Sequence, residues 1–494
     1  MVYFCTQDYQ WLGRCIAIRT KEILNEKREK YITDMFMLKK DICFRHSRCI
    51  YICCMLICML MCFSDAFGQR ASAMEKTDYE RLKTKVIQAY KNYKTEVDVS
   101  SFELYVDSDK STIKEIMTEV VNKTTMIFYN NHSYSLEYTG TTGKITKIEL
   151  GYASEYKKTN GSVKAAAIKK AAAKLNKEIN KITSKIKPGM NSVDKALFVH
   201  DQIAKDTSYE DKVSNNSRLT EYGVLVKHKG NCQGYSLAYA AVMEKLGFSV
   251  HFVDSEYMDH VWNQIKIGSN WYNVDVTWDD PINDRPGHAQ HTYFLLSDNA
   301  IQNLPSKHYD YTISYGANST KYDNYEIHNF DTRLCEVNGE FYGFVNNNSS
   351  ANKGALLKYK LDSNTYEKKL KLNERWSAGG NSYWLNTFMS LEKYNDTLYF
   401  NTSDAVYSYD VETGRQAVAA SDINGVSVSS GRLCYGMVLK GDAMYVAVSD
   451  SPNNKATLQY VKRVDKGDLA ISLPSLVVSL TSTFPPFVSS STLE

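Results

Sequence analysis

The sequence is poor in proline and has almost no surplus of either charge, and each shortage excludes a class of protein. Only 8 of its 494 residues are proline, which argues against a long disordered or proline-rich chain. Its 59 basic and 56 acidic side chains give a net charge of +3. We therefore expect no nucleic-acid partner and no attraction to an anionic membrane. Tyrosine is abundant, with 36 residues, and favours a folded, sheet-rich protein.

Cysteine is rare in most of the chain. Eight of the eleven cysteines lie at or before Cys62, and only Cys232, Cys335 and Cys434 follow. Three cysteines cannot all pair with one another, and none of these three has the spacing of a zinc-ligand pair. The sequence therefore predicts no disulfide framework, no metal site and no cofactor.

Residues 1–73 contain an apolar run, 49–63, that is too short for a comfortable membrane span. Basic residues precede it, and Ala71-Ser72-Ala73 follows it as a cleavage signal. These features predict a leader with a signal peptide, and a start at Met35 or Met37 fits that signal better than Met1 does. The alternative is an uncleaved N-terminal anchor. We expect export to the cell surface or medium, with no lasting membrane span after cleavage.

The rest of the chain divides into four parts by pattern and composition. Helical and alternating stretches predict a small α+β region over residues 76–160 and a second α+β domain over 161–315. Short aromatic strands between Asp, Asn and Gly turns fill residues 322–470 and resemble β-propeller blades, although only about three blades fit. Residues 471–494 differ from the Lys-, Asn- and Tyr-rich composition of the rest of the chain, which indicates either a truncated or frame-shifted end or a flexible tail. The predicted class is α+β followed by an all-β, propeller-like domain.

The stretch GNCQGYS places Cys232 just before a helical pattern, YSLAYAAVMEKLG, that ends at Gly247. The first turn of a helix has free N–H groups and the positive end of the helix dipole. Both favour a thiolate, which is the nucleophilic form of cysteine. We expect the adjacent Gly230 and Gly234 to let a substrate backbone approach closely.

A hairpin is predicted over residues 259–281, with Gly268-Ser269 as a two-residue turn of the II′ kind. This turn sets Trp262 opposite Asp275 and leaves His260 and Asp275 on one face, as diagonal neighbours about 7 Å apart at Cβ. A shift of one residue would put them on opposite faces. The register therefore tests whether His260 and Asp275 can meet.

Together, Cys232, His260 and Asp275 fit nucleophilic catalysis. The cysteine would attack a carbonyl carbon, the histidine would move the proton, and the aspartate would orient the histidine. The backbone N–H of Cys232 could stabilise the oxyanion. Asp279 and Asp280 suit the third role less well because they lie past the paired strand.

The stretches YGVLVKHKGNCQGYSLAYAAVMEKLG, HVWNQIKIGSNWYNVDVTWDDP and HTYFLLSDN resemble the transglutaminase-like superfamily in its bacterial secreted form. The resemblance covers roughly residues 190–310 and implies a papain-like core with Cys232, His260 and Asp275 as catalytic triad. It also implies acyl transfer or hydrolysis at amide bonds through a thioester, on an extracellular or cell-surface protein or peptide. It does not distinguish a cross-linking enzyme from a protease, amidase or deamidase. A catalytically idle binding or scaffold protein is the alternative from another class.

Other residues have weaker assignments. Tyr222 and Gln233 are candidates for the second oxyanion donor that the family uses, and Trp262 and Trp278 are expected to form core or cleft wall. We interpret His200 as a packing residue. His288 and His291 have a loop-metal spacing, but no acidic or cysteine partner is obvious in the sequence.

Overall fold

The computed structural model describes residues 74–210, 216–280, 287–311, 315–346, 350–379, 382–454 and 456–464. The predicted leader over 1–73 and the atypical tail over 471–494 lie outside these residues. In the part of the chain that is described, no helix combines the length and the apolar character that a membrane span needs.

The N-terminal region packs two helices on a three-stranded antiparallel sheet of order β1-β3-β2. Buried residues at helical spacing, such as Leu82 and Val86 on the first helix and Ile113 and Ile116 on the second, form its core with Ile148 of the sheet. The elements are α1 (Lys76–Lys91), β1 (Glu96–Asp98), α2 (Val106–Lys123), β2 (Asn130–Tyr138) and β3 (Ile145–Tyr152).

The middle region surrounds one central helix, α6 (Cys232–Lys245). Every residue from Gly234 to Met243 is buried, so the helix is apolar on all sides, as a core helix is. The other helices are α3 (Ala165–Thr183), α4 (Ser192–Asp206), α5 (Glu221–Lys227), α7 (Val276–Asp279) and α8 (Asp298–Asn303).

A four-stranded antiparallel sheet of order β6-β7-β8-β9 packs against α6. Its strands are β6 (Val250–Ser255), β7 (His260–Ile267), β8 (Asn270–Val274) and β9 (Phe294–Leu296). A two-residue parallel pair, β4 (Ser208–Tyr209) with β5 (Lys229–Gly230), precedes α6. The start of α6 and the start of β7 therefore belong to two layers in direct contact.

The C-terminal region consists of antiparallel sheets, in agreement with the strand-rich pattern of the sequence. Among the described residues these sheets do not close into a ring, so the propeller-like arrangement is not confirmed. The first sheet contains β10 (Cys335–Val337), β11 (Glu340–Val345), β12 (Ala355–Lys360) and β13 (Thr365–Lys371), and the second contains β14 (Arg375–Gly379) and β15 (Ser382–Leu385). The third contains β16 (Leu391–Tyr394), β17 (Thr397–Asn401), β18 (Val406–Asp410) and β19 (Gln416–Ala420), and the fourth contains β20 (Leu433–Lys440), β21 (Ala443–Ser449) and β22 (Thr457–Arg463).

Glu221, at the start of α5, is a buried carboxyl group where the N-terminal and middle regions meet. Its Oε1 accepts a hydrogen bond from the Met126 backbone N–H at 2.6 Å, while its Oε2 has no partner. Burial raises the pKa of Glu221 to about 7, above its ordinary value of 4.5. The folded state therefore binds the Glu221 proton more tightly than the unfolded state does. The stability that this proton gives is complete below pH 4.5 and is lost as pH rises to about 7.

We expect Glu221→Gln to remove the decrease in stability that the wild-type chain shows as pH rises from 4.5 to about 7. Each tenfold change in proton affinity is worth about 1.4 kcal/mol, so the wild-type free energy of unfolding should fall by about 3 kcal/mol between pH 4.5 and 8 from this group. Urea unfolding at a series of pH values measures the slope. Glu80→Gln, at an exposed glutamate on α1, is the matched control and should keep the wild-type slope. An unchanged slope in Glu221→Gln would contradict the assignment.

Candidate active site

Cys232 is the first residue of α6, as the sequence predicts. Asn231 is the N-cap, and its side chain accepts a hydrogen bond from the Gly234 backbone N–H at 3.4 Å. Cys232 is partly exposed, whereas the other two described cysteines, Cys335 and Cys434, are buried. Burial raises the pKa of the Cys335 thiol to about 11 and that of the Cys434 thiol to about 12. Of the three, Cys232 is therefore the accessible one.

The glycines beside Cys232 have a different role from the predicted one. A Cβ at Gly234 would lie 2.4 Å from the Arg218 carbonyl oxygen, and a Cβ at Gly230 would lie 2.4 Å from Cγ2 of Val224. The space that each side chain would need is therefore occupied by the protein itself. The expectation that these glycines admit a substrate backbone is wrong: they let the chain before α6 pack against its first turn.

The hairpin has the predicted register. Its pairs run from Ile267 opposite Asn270 to Asn263 opposite Val274, the same register that sets Trp262 opposite Asp275. Gly268 has φ of 61°, as the first central residue of a II′ turn requires. His260 opens one strand and Asp275 follows the end of the other, so both lie at the same end of the hairpin.

Asp275 has two tasks, one for each of its carboxylate oxygens. As the N-cap of α7, it uses Oδ1 to accept hydrogen bonds from the backbone N–H groups of Thr277 at 3.0 Å and Trp278 at 3.2 Å. Its Oδ2 accepts a hydrogen bond from Nε2 of His260 at 2.6 Å. The helix start thus fixes the carboxylate that orients the imidazole.

Cys232 lies close enough to His260 to help raise the pKa of the imidazole. Since Nε2 faces Asp275, Nδ1 is the ring nitrogen left for the thiol. Burial lowers the pKa of His260, but Asp275 and Cys232 outweigh it and raise the pKa to about 10. Burial likewise raises the pKa of Asp275, but His260 and His308 hold it well below its ordinary value. The imidazole therefore retains a proton through the neutral range, beside a charged carboxylate.

A fourth residue, His308, lies at the site, and no sequence pattern indicates it. Its Nε2 lies 2.8 Å from the same Oδ2 of Asp275, and its side chain is fully buried. A lone histidine in the loop after α8 has no periodicity or motif by which it could have been recognised.

Aromatic rings enclose the histidine. Trp278 stacks on the His260 ring at 5.1 Å between ring centres, and the buried Trp262 lies parallel to it at 5.8 Å. The indole Nε1–H of Trp262 donates to Oδ1 of Asn273 at 3.0 Å. Both tryptophans are thus placed as core and wall, the arrangement that the sequence favours for them.

The two oxyanion candidates make contacts with the N-terminal region. Tyr222 stacks on Phe128 at 5.1 Å between ring centres. The side-chain amide of Gln233 donates to the Asn122 carbonyl oxygen at 2.6 Å. Their role as second oxyanion donor stays a prediction.

A second buried cluster lies on the other side of α7. Oδ1 of Asp201 lies 2.9 Å from Nδ1 of His200 and 2.8 Å from Nε2 of His291, and Nε2 of His200 lies 3.1 Å from Oδ2 of Asp279. His291 therefore has an acidic partner, Asp201, which its spacing in the sequence did not show. His288 is separate, with Nδ1 at 3.1 Å from the Asp331 carbonyl oxygen.

This cluster joins three parts of the molecule. Oδ2 of Asp201 accepts a hydrogen bond from the Leu334 backbone N–H at 2.7 Å, just before β10. Nδ1 of His291 lies 3.2 Å from the Phe330 carbonyl oxygen. Asp279 accepts hydrogen bonds from the Tyr293 backbone N–H at 3.1 Å. Through Asp279, the cluster holds the C-terminal end of the short helix that begins at Asp275.

Among the residues that the structure describes, two groups of side chains have donor atoms close enough to share a metal ion: His200, Asp201 and His291, and His260, Asp275 and His308. Within each group these atoms lie within 4.8 Å of one another. The nitrogen–oxygen distances of 2.6 to 2.9 Å are those of hydrogen bonds. Hydrogen bonding thus accounts for both groups without a metal.

Residues 179–276 match the family model of the transglutaminase-like superfamily, so the chain contains a domain of that superfamily. The matched range includes Cys232, His260 and Asp275. No curated protein matches the chain.

Among solved structures, the chain is similar to a transglutaminase (15% identity, TM-score 0.21), covering 36% of this chain and 49% of that one. It is also similar to a candidate cysteine protease from Cytophaga hutchinsonii (15%, TM-score 0.19, covering 31% and 64%). A third is an arylamine N-acetyltransferase from Bacillus cereus with a Cys-His-Glu triad (12%, TM-score 0.19, covering 49% and 91%). The chain thus spans about half of the first structure and just under two thirds of the second.

Proposed function

We propose that the protein is an exported enzyme that performs cysteine-dependent acyl transfer or hydrolysis at amide bonds of proteins or peptides. The observation that carries this proposal is the position of His260, whose Nε2 lies 2.6 Å from Oδ2 of Asp275 and whose pKa the neighbouring Cys232 helps to raise. A nucleophile, a proton carrier and an orienting carboxylate in contact are what the reaction needs. The transglutaminase-like match over residues 179–276 supports the same class.

In the first step, Sγ of Cys232 attacks the carbonyl carbon of the amide. The carbonyl oxygen becomes an oxyanion, which the backbone N–H of Cys232 at the start of α6 can stabilise. His260 holds the proton of the thiol and gives it to the leaving nitrogen. The C–N bond then breaks, an amine or ammonia leaves, and a thioester joins the acyl group to Cys232.

In the second step, water or a primary amine attacks the thioester. His260 takes a proton from the attacking group, the C–S bond breaks, and the product leaves as a carboxylic acid or a new amide. The thiolate and the protonated imidazole are restored. The residues thus serve transfer and hydrolysis equally well, and the acceptor decides which product forms.

The experiment supplies a glutamine-rich protein, such as dimethylated casein, with a biotinylated primary amine. Amine incorporation by the wild-type chain, and none by Cys232→Ala, would show acyl transfer. Released ammonia or new peptide termini without incorporation would show hydrolysis. Equal signals from wild type and Cys232→Ala in every assay would contradict the proposed enzymatic function and favour the binding or scaffold alternative.

The place of action belongs to the same proposal. The apolar run over 49–63 and the Ala71-Ser72-Ala73 signal support export, and the strand-rich C-terminal region, in which we propose propeller-like blades, offers a surface for an extracellular partner. N-terminal sequencing of protein from the culture medium checks this: a chain that begins at Met74 agrees, and an intact leader does not.

A further inference from the structure

We propose that His308 is a positioning residue that donates its Nε2–H, as a neutral imidazole, to Asp275 and so holds the carboxylate toward His260. This inference rests on the proposed function, because it concerns the same site.

The first observation is that each oxygen of the Asp275 carboxylate has two hydrogen-bond partners. Oδ2 lies 2.6 Å from Nε2 of His260 and 2.8 Å from Nε2 of His308. Oδ1 accepts from two backbone N–H groups at the start of α7. Rotation of the carboxylate would break hydrogen bonds on both oxygens. His308 therefore adds a second donor on Oδ2 and helps to hold the carboxylate in place.

The second observation concerns the other nitrogen of His308. Its Nδ1 is buried and has no hydrogen-bond partner. If Nδ1 carried a proton, the site would contain a buried, unpaired N–H on a cation, which is costly. An unprotonated Nδ1 avoids that charge, so Nε2 carries the one ring proton and donates it to Asp275.

The surroundings of His308 favour the same state. The ring contacts Trp278 at 4.3 Å, Trp262 at 4.6 Å and Tyr293 at 5.1 Å between ring centres. The charged or titratable groups that face it are Asp275, His260 at 5.5 Å and the Tyr293 ring. His260 already compensates the charge of Asp275, so a second cation beside it would be uncompensated.

The functional consequence of His308 is the orientation of the His260 ring. His260 must present one nitrogen to Cys232 and later to the leaving nitrogen, and its ring orientation depends on where Oδ2 of Asp275 lies. Small displacements of a catalytic group slow the reaction by up to about 100-fold. In this arrangement His308 acts through Asp275, whose Oδ2 lies 2.8 Å from its Nε2.

The direct test is nuclear magnetic resonance of the full chain with ¹⁵N-labelled histidine. The His308 signals, assigned by their absence in His308→Gln, should show one protonated and one unprotonated ring nitrogen at pH 7. Two protonated nitrogens would overturn the proposal, even if the enzyme is active.

The kinetic test compares two replacements. His308→Phe keeps an aromatic ring but loses the donor, and should lower kcat by about 10- to 100-fold with little change in KM. His308→Gln keeps an N–H at similar reach and should recover most of the rate. His251→Phe, at a half-buried histidine stacked on Tyr315, is the control and should match wild type.

The outcomes separate this inference from the proposed function. If Cys232→Ala abolishes the reaction but His308→Phe is as fast as wild type, the proposed role of His308 is wrong, while the proposed enzymatic function is supported. If His308→Phe unfolds, as circular dichroism would show, the resonance experiment on the wild-type chain still decides. If Cys232→Ala has no effect, the proposed function fails, and only the hydrogen bond to Asp275 is left to test.

Discussion

Replacing His260 with alanine should lower kcat/KM by about 10²- to 10⁴-fold, the usual contribution of a positioned proton carrier. It should also slow the alkylation of Cys232 by iodoacetamide at neutral pH. The reason is that His260 is the neighbour of the thiol and, with its pKa raised to about 10, keeps the proton. Without this partner, nothing takes up the thiol proton during attack and nothing returns a proton to the leaving nitrogen.

Mass spectrometry of the labelled peptides measures the alkylation rate at Cys232 itself. Cys335 and Cys434 are buried and serve as slow internal references. His251→Ala should react like wild type. Equal labelling rates in His260→Ala and wild type would mean that His260 does not activate the thiol. The triad would then not explain the reactivity of Cys232.

The same group predicts the alkaline limit of activity. The proton on His260 is bound below its pKa of about 10 and lost above it. We expect kcat/KM to fall as pH rises through about 10, because the leaving nitrogen then has no acid to protonate it.

Replacing Asp201 with asparagine should lower the free energy of unfolding by about 3–5 kcal/mol, the range for removal of one partner from a buried ion pair. Asp201 accepts hydrogen bonds from His291 and from the Leu334 backbone N–H and faces His200. Burial raises the pKa of Asp201, but His291 and His200 hold it well below its ordinary value. The neutral asparagine would leave His200 with only Asp279 as a charged partner.

Chemical denaturation at pH 6 measures this effect. Asp206→Asn, the same change at an exposed end of the same helix, should cost far less. Equal losses in the two variants would show that the buried cluster contributes nothing particular. The effect should also depend on pH. Burial lowers the pKa of His200, but Asp201 and Asp279 raise it to about 9, so its contribution is complete below pH 6.5 and disappears as pH rises through about 9.

Local patterns predicted the centre of the site because they act over short stretches of chain. The Gly268-Ser269 turn and the alternation around it determine the register, which puts His260 and Asp275 at one end of the hairpin. The helical pattern after Cys232 locates the first turn of α6. These are contacts between neighbours in sequence, and the sequence shows them directly.

The residues that the sequence did not predict depend on long-range packing. His308 reaches Asp275 across a loop, and Asp201 meets Leu334 from a distant part of the chain. Gly234 shows the same limit: a glycine beside a nucleophile suggests room for a substrate, but the Arg218 carbonyl fills that space. No pattern of period 2 or 3.6 contains this information.

The short helix α7 also restricts how many residues can separate Asp275 from Asp279. One carboxylate, Asp275, precedes its first turn and is fixed by two histidines, while another, Asp279, ends it and is fixed by His200 and the Tyr293 backbone. An α-helix turns by about 100° for each residue. A single inserted or deleted residue between the two would therefore rotate one carboxylate away from its partners. Homologues that keep both clusters should show no gaps in this turn.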